Sequence, residues 1–373
     1  MKENIVPIDY SQRQAKIRDI QGVDAVLIVP GANMVYFTGL HFHLSERPTV
    51  AIFTPDGEFS IIIPQLEAIK LDQRPDLEGR PFAWSDTDGF KGAFRAAIDE
   101  LGLRGKTLGV DGMTMRVSEW LEFLNVDSSL KIQPVERSLV RIRAHKTADE
   151  VELMQRAVTQ SEKALDNLLA WVQPGMTERA IAERLSNELL AQGCTGLAFE
   201  SLVQTGPNSA LPHGFVTDRA LQKDDFLLID YGGMMDGYPA DITRTFCLGT
   251  PSAEMQKIYD TVLAANTAAR ETVRPGVAMG AVDKAARDVI EQAGYGQYFT
   301  HRTGHGLGLD PHEPIPQIAA GVEDALEPGM TFTIEPGIYI PNLGGVRIED
   351  NVVVTEDGAR VLTSYPRRLT PGR

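Results

Sequence analysis

The stretch FLLIDYGGMMDGYPADITRTFCLG, residues 226–249, decides how the chain is read. Two apolar β runs flank Gly232-Gly233 and Asp236-Gly237, residue types that supply the tight turns of a hairpin. With the pivot at 235–236, Asp230 and Asp241 are equally far from the turn and are expected to face one another. Directly opposed residues on one face of a strand pair hold their Cβ atoms about 4.5–5.5 Å apart. Two carboxylates that close, in a partly buried setting, repel strongly unless a proton or a cation sits between them.

A second stretch repeats the arrangement. FTIEPGIYIPNLGGVRIEDNVVV, residues 332–354, turns within Pro341–Gly345 and leaves Glu335 and Glu349 equally distant from Asn342. Any one of these acids alone reads equally well as a turn or surface residue. Two symmetric ribbons that each oppose like charges are much harder to explain as surface decoration. Four carboxylates suit a pair of ions about 3.5–4 Å apart around a shared water.

Of seven histidines in the chain, three lie in HRTGHGLGLDPHEP, residues 301–314. Gly304 and Gly306 flank His305 and let the backbone approach closely, which makes His305 the expected nitrogen donor. A neutral imidazole completing an oxygen-rich set suits Mn²⁺, Co²⁺, Fe²⁺ or Zn²⁺.

Outward from these segments, the character changes near residue 142, and the stretch 146–175 opens with Thr147-x-x-Glu150, a capping box, and closes at Pro174-Gly175. Val151, Met154, Val158, Ala164 and Leu168 give that helix one apolar face. Further helices are expected at 177–193, 252–273 and 280–293. Helices grouped with antiparallel hairpins indicate an α+β domain rather than a doubly wound sheet. Residues 1–142 read differently, as mixed α/β. DAVLIVP (24–30) and TLGVDG (107–112) are strand-like, a helix is expected near 115–124, and TVAIFTPDGEFSIIIP (49–64) is a hairpin around Pro-Asp-Gly. Two domains are therefore expected, 1–142 and 143–373, with no legible internal repeat.

Composition constrains partners. A net charge of -15 argues against nucleic acid and anionic membrane surfaces. Cys194 and Cys247 are far apart and suggest no disulfide framework, which suits a reducing compartment. The first residues show no signal-peptide pattern, and no apolar run approaches membrane-spanning length. A cytoplasmic location with no membrane partner is the expectation.

The set Asp230, Asp241, His305, Glu335 and Glu349, at intervals of 11, 64, 30 and 14 residues, resembles the five-ligand dinuclear site of the pita-bread metallopeptidases. DITRT, GHGLGLDPHE, EPGIY and GGVRIED are similar to that family's signatures over roughly 143–370. NMVYFTGL (33–40), in an α/β first domain, resembles the prolidase, aminopeptidase P and creatinase branch. The resemblance implies a pita-bread catalytic domain preceded by a smaller creatinase-like domain that serves substrate access and dimer contacts, in a homodimer. It implies two divalent ions per subunit, Mn²⁺ first, with Co²⁺, Zn²⁺ or Fe²⁺ as alternatives. Asp230 would chelate one, His305 would ligate the other, and Asp241 and Glu349 would bridge. Glu335 would bind metal and shuttle the proton of the bridging hydroxide. His312 would stabilise the oxyanion, and His213, in LPHG, would contact substrate or move a proton. Tyr339 and Arg347 occupy positions that bind substrate or orient a ligand. Thr243 is expected behind the ligands, Arg244 as a surface or packing residue, and His301 as structural.

The implied substrate is a small peptide with proline at the second position. Many prolidases carry an arginine four residues after the second histidine, where it helps bind the dipeptide's free carboxylate. This chain has Pro316 there, beside Gln317. Xaa-Pro dipeptidase is favoured; the alternatives are an aminopeptidase P-like activity on longer peptides and a creatinase-like or related enzyme on a non-peptide substrate. His43 and Arg47, in HFHLSERP, are further candidates from the first domain.

Overall fold

The computed structural model describes residues 8–371, which divide into two compact units between Arg143 and Ala144. The first holds one six-stranded mixed sheet. In order across it run Arg80–Trp84, Phe59–Pro64, Val50–Phe53, Ala25–Ile28, Thr107–Val110 and Lys131–Pro134. The Pro-Asp-Gly segment makes the antiparallel turn between Val50–Phe53 and Phe59–Pro64. Helices Lys91–Glu100 and Val117–Val126 pack Phe94, Ile98 and Phe123 onto the sheet residues Leu27, Ile52 and Leu108.

The second unit is α+β and is built twice over from one kind of part, a helix pair backing a β ribbon. The first pair is Ala148–Trp171 and Glu178–Ala191. Its first helix starts in the capping box of Thr147 and Glu150 and buries Val151, Met154, Val158, Ala164 and Leu168. These side chains share a core with Leu227, Ile229, Ile242 and Phe246 of the first ribbon. Helices Ala253–Thr272 and Met279–Gln292 form the second pair. Ile258, Val262, Val282 and Ala286 share a separate core with Phe332, Ile334, Val346 and Val352 of the second ribbon. Each fully buried Ile, Leu or Val contributes roughly 1.5–3 kcal/mol through lost apolar surface. The two ribbons are thus stiffened from behind, and their opposite faces are free to carry polar groups.

The registers decide which acids meet. In the second ribbon Thr331 to Ile334 pairs with Asp350 to Val353, and Gly337 to Ile340 with Gly344 to Arg347. Both halves are symmetric about Asn342, which takes φ 65 at the turn, so Glu335 and Glu349 lie opposite in the short gap between them. In the first ribbon the expected register needs correction. Asp236 and Gly237 both have positive φ, 48 and 89, and form the two-residue turn themselves. The pivot moves to 236–237, and Asp230 faces Thr243 rather than Asp241. Asp241 lies just ahead of the strand Ile242–Phe246 and still lines the same cavity as Asp230.

Candidate metal centre

Asp230, Asp241, His305, Glu335 and Glu349 all line one cavity of about 380 Å³, together with His213, His301, Arg302 and His312. Ligand atoms of Asp230, Asp241 and Glu349 lie within 4.8 Å of one another, as do those of His305, Glu335 and Glu349. Asp241, His305 and His312 form a third such group. Asp241, His305 and Glu349 each belong to two of these groups, so the clusters overlap in one centre.

The two ribbons are bolted together beside these acids. The Thr243 hydroxyl donates to Glu349 Oε2 at 2.6 Å, and the Glu349 N–H donates to the Thr243 carbonyl at 3.1 Å. Asn351 clamps the Asp241 backbone from both sides, accepting from its N–H and donating to its carbonyl. Arg347 donates to Asp230 Oδ2 at 2.6 Å, to Thr243 Oγ1 at 3.0 Å and to the Tyr339 oxygen at 3.0 Å. Arg244 is fully buried, which excludes a surface role. It donates to the Thr243 and Glu349 carbonyls and pairs with Asp350 at 2.9 Å.

His305 arrives on a short strand, Gly304–Gly306, which has almost no room. A Cβ on Gly304 would collide with the Thr333 carbonyl oxygen, and one on Gly306 with the Ile315 carbonyl oxygen. Its Nδ1 lies 3.0 Å from the Gly306 carbonyl and must carry the proton, so Nε2 turns its lone pair toward the acids. Nε2 lies 3.4 Å from Glu335 Oε1 and 3.6 Å from Asp241 Oδ2. These are contacts of a neutral ring rather than ion pairs, because burial, helped by His312, pushes His305 down to about 3.

The electrostatics of the acids point the same way. Burial, reinforced by Glu349, Asp230 and Glu335, pushes the Asp241 carboxyl well above its ordinary range. Burial and Glu335 do the same to Glu349. Burial lifts Glu335 to about 7 against the pull of Arg347. One oxygen of Asp230, Oδ1, is buried with no hydrogen-bond partner. An orphaned carboxylate oxygen, a neutral imidazole with its lone pair turned inward, and acids that resist sharing negative charge together fit divalent cations. A candidate dinuclear divalent-metal site is present.

His301, expected to be structural, lines the cavity. Its Nδ1 lies 2.7 Å from the Arg302 carbonyl and its Nε2 2.8 Å from the Tyr339 hydroxyl. Burial pushes His301 down to about 4 and Tyr339 up to about 12, so the phenol keeps its proton and donates it to a neutral ring. The signal was available in the sequence only as the spacing of His301 ahead of His305. His213 and His312 are exposed at the cavity wall, and the His213 ring has no hydrogen-bond partner among the described residues. Phe199 and Arg302, which sequence reading passed over, also line it. Pro316 is buried in the strand Glu313–Ile318 and does not line it. In the first unit, Arg47 is held by both oxygens of Asp86 and His43 is exposed.

Fold and site together define a dinuclear-metal hydrolase of the pita-bread type. Residues 152–356 match the model of metallopeptidase family M24, and residues 12–145 match the creatinase/prolidase N-terminal domain. An uncharacterised peptidase of Staphylococcus epidermidis is 35% identical over 352 residues, covering 94% of this chain and 98% of its own. A dipeptidase from Pyrococcus horikoshii OT3 is similar in structure, with TM-score 0.90, 36% identity and coverage of 97% and 99% of the two chains. An X-Pro aminopeptidase from Thermotoga maritima MSB8 follows with TM-score 0.84, 30% identity and coverage of 95% and 99%. The chain belongs to metallopeptidase family M24, in its creatinase, aminopeptidase P and prolidase branch, and is a metallopeptidase. No described helix is long and apolar enough to cross a membrane.

Proposed function

We propose that this metallopeptidase hydrolyses Xaa-Pro peptide bonds, with dipeptides as its principal substrates, and that it works as a homodimer loaded with Mn²⁺. The observation that carries the hydrolytic reading is the convergence of four carboxylates and a neutral His305 on one small cavity. Asp230, Asp241, His305, Glu335 and Glu349 would hold two divalent ions, with Asp241 and Glu349 shared. Such ions, when bound, polarise the scissile carbonyl and lower the pKa of a water between them.

The chain's own residues do the rest. Glu335, lifted by burial to about 7, suits a group that takes a proton from water and returns it to the leaving nitrogen. His312, ring centroid 4.1 Å from that of His305, is placed to donate to the oxygen that gains charge in the transition state. His213 on the opposite loop meets the substrate. Arg347 holds Asp230 and lines the cavity, while Tyr339 serves at one remove, through His301 and Arg347.

Similar structures include a dipeptidase, prolidases and an X-Pro aminopeptidase, which supports proline specificity and leaves peptide length to experiment. Chelated protein given back Mn²⁺ is expected to cleave Ala-Pro faster than Ala-Pro-Ala-Ala. Faster cleavage of the tetrapeptide would move the assignment to an aminopeptidase, and activity on neither would end the Xaa-Pro reading. Asp241→Asn is expected to lose at least about 10³-fold in kcat/KM and to bind fewer metal ions by elemental analysis.

A further inference from the structure

Among the described residues, Arg302 is the cavity-wall arginine whose side chain has no hydrogen-bond or ion-pair partner. The cavity's other arginine, Arg347, is tied to Asp230, Thr243 and Tyr339. Arg302 lines the same cavity half-buried, and its guanidinium makes no hydrogen bond or ion pair among the described residues. Of the other half-buried arginines of the second unit, Arg219 is paired with Asp225 and Arg287 with Asp283; Arg156 has no partner among the described residues either, but it does not line the cavity.

Its backbone, by contrast, is fixed. Arg287 donates to the carbonyls of Phe299 and His301, and the Thr303 N–H donates to Asp283 Oδ1. The Arg302 carbonyl itself is taken by His301 Nδ1 at 2.7 Å. A pinned backbone with an unpaired fork at its tip is the arrangement of a preorganised anion receptor, because little is left to order when the anion arrives.

Charge balance says what kind of anion. Four carboxylates and one hydroxide would balance two divalent ions and Arg347, so Arg302 is not needed to compensate the cage and leaves the cavity with a surplus positive charge. The cavity, about 380 Å³, is at the small end of ligand pockets and matches a ligand of dipeptide size. A dipeptide carries one carboxylate, on the proline that follows the scissile bond.

We propose that Arg302 is the receptor for the free α-carboxylate of an Xaa-Pro dipeptide and so determines the length of peptide this enzyme accepts. The inference rests on the Xaa-Pro reading and narrows it to substrates whose proline is C-terminal.

The test compares Ala-Pro with Ala-Pro-NH₂, which differ only in that charge, on wild type, Arg302→Met and Arg302→Lys. Wild type is expected to prefer the acid. Arg302→Met is expected to raise KM for Ala-Pro about 10- to 100-fold, the worth of a hydrogen bond to a charged group, with kcat little changed. Its KM for the amide should stay at the wild-type value, and Arg302→Lys should recover part of the loss. Wild-type protein that handles acid and amide equally, or an Arg302→Met protein whose KM rises equally on both, overturns the proposal. The wild-type comparison decides even if the variants fail to fold. Wild type inactive on both peptides indicts the Xaa-Pro reading itself and takes the dipeptide receptor with it.

Discussion

Thr243 shows how much one small side chain can settle. It faces Asp230 across the first ribbon, donates to Glu349 at 2.6 Å and accepts from Arg347 at 3.0 Å. It therefore orients carboxylates from both ribbons without being an expected ligand. Losing such an outer partner typically weakens metal affinity about 10- to 100-fold. Thr243→Val, nearly isosteric, is expected to fold normally and to show that loss in competition with a chelator. Tyr339 makes a complementary case. Tyr339→Phe strips the proton donor from His301 and the acceptor from Arg347, both inside the protein. Unpaired groups of this kind cost about 1–3 kcal/mol, so thermal unfolding should reveal the change while metal stoichiometry holds. The family resemblance implied a substrate contact or a supporting role for Tyr339, and in the fold its hydroxyl is engaged by His301 and Arg347.

At the level of elements, sequence symmetry located the ribbons well and their register less well. The second ribbon turns at Asn342 as its spacing implies. The first turns one residue beyond the pivot its spacing implies, because Asp236 and Gly237 both take positive φ and form the turn themselves. A one-residue shift of pivot replaced Asp241 with Thr243 as the partner of Asp230, although Asp230 and Asp241 still line one cavity. Glu178 was wholly illegible as anything but the first residue of a helix. It is fully buried, and its two oxygens accept five hydrogen bonds, from Thr205, Asn208 and Thr217. Both ends of the loop carrying His213 are thereby stapled to one carboxylate. Glu178→Gln puts an N–H₂ among donors and should quicken hydrogen exchange in peptides spanning 205–217, leaving the helix 253–272 protected. Unchanged exchange there would show the loop to be held by other means. Gly304→Ala is expected to be worse, since the obstructing atom is backbone. Overpacking of this order costs about 1–3 kcal/mol, and the displaced His305 should lower metal occupancy.

For the molecule as a whole, stability, metal and pH are coupled. In metal-free protein the Glu335 pKa rises from 4.5 to about 7 on folding. Its contribution is therefore fully present below about 4.5 and is lost as pH rises through about 7. Bound cations need the ionised acids, so they compete with those protons, and affinity must climb with pH over the same window. The melting temperature of Mn²⁺-loaded protein should exceed that of chelated protein by a margin that widens from pH 5 to pH 8. Calorimetric titration at pH 6 should register proton release on binding. A margin independent of pH would show that the acids are not held protonated by one another. The doubled helix-pair-and-ribbon plan, by contrast, left no repeat legible in the sequence, because the two cores share burial pattern and not residue identity.

That doubled plan also governs when the enzyme can come alive. Asp230 and Asp241 belong to one ribbon and Glu335 and Glu349 to the other, with the whole Ala253–Thr272 and Met279–Gln292 pair threaded between them. A nascent chain on the ribosome has nowhere to lodge its ions until Glu349 has emerged and the later ribbon has docked. Metallation is thus a finishing act, and the ion is selected by a completed cage rather than by a loose string of donors.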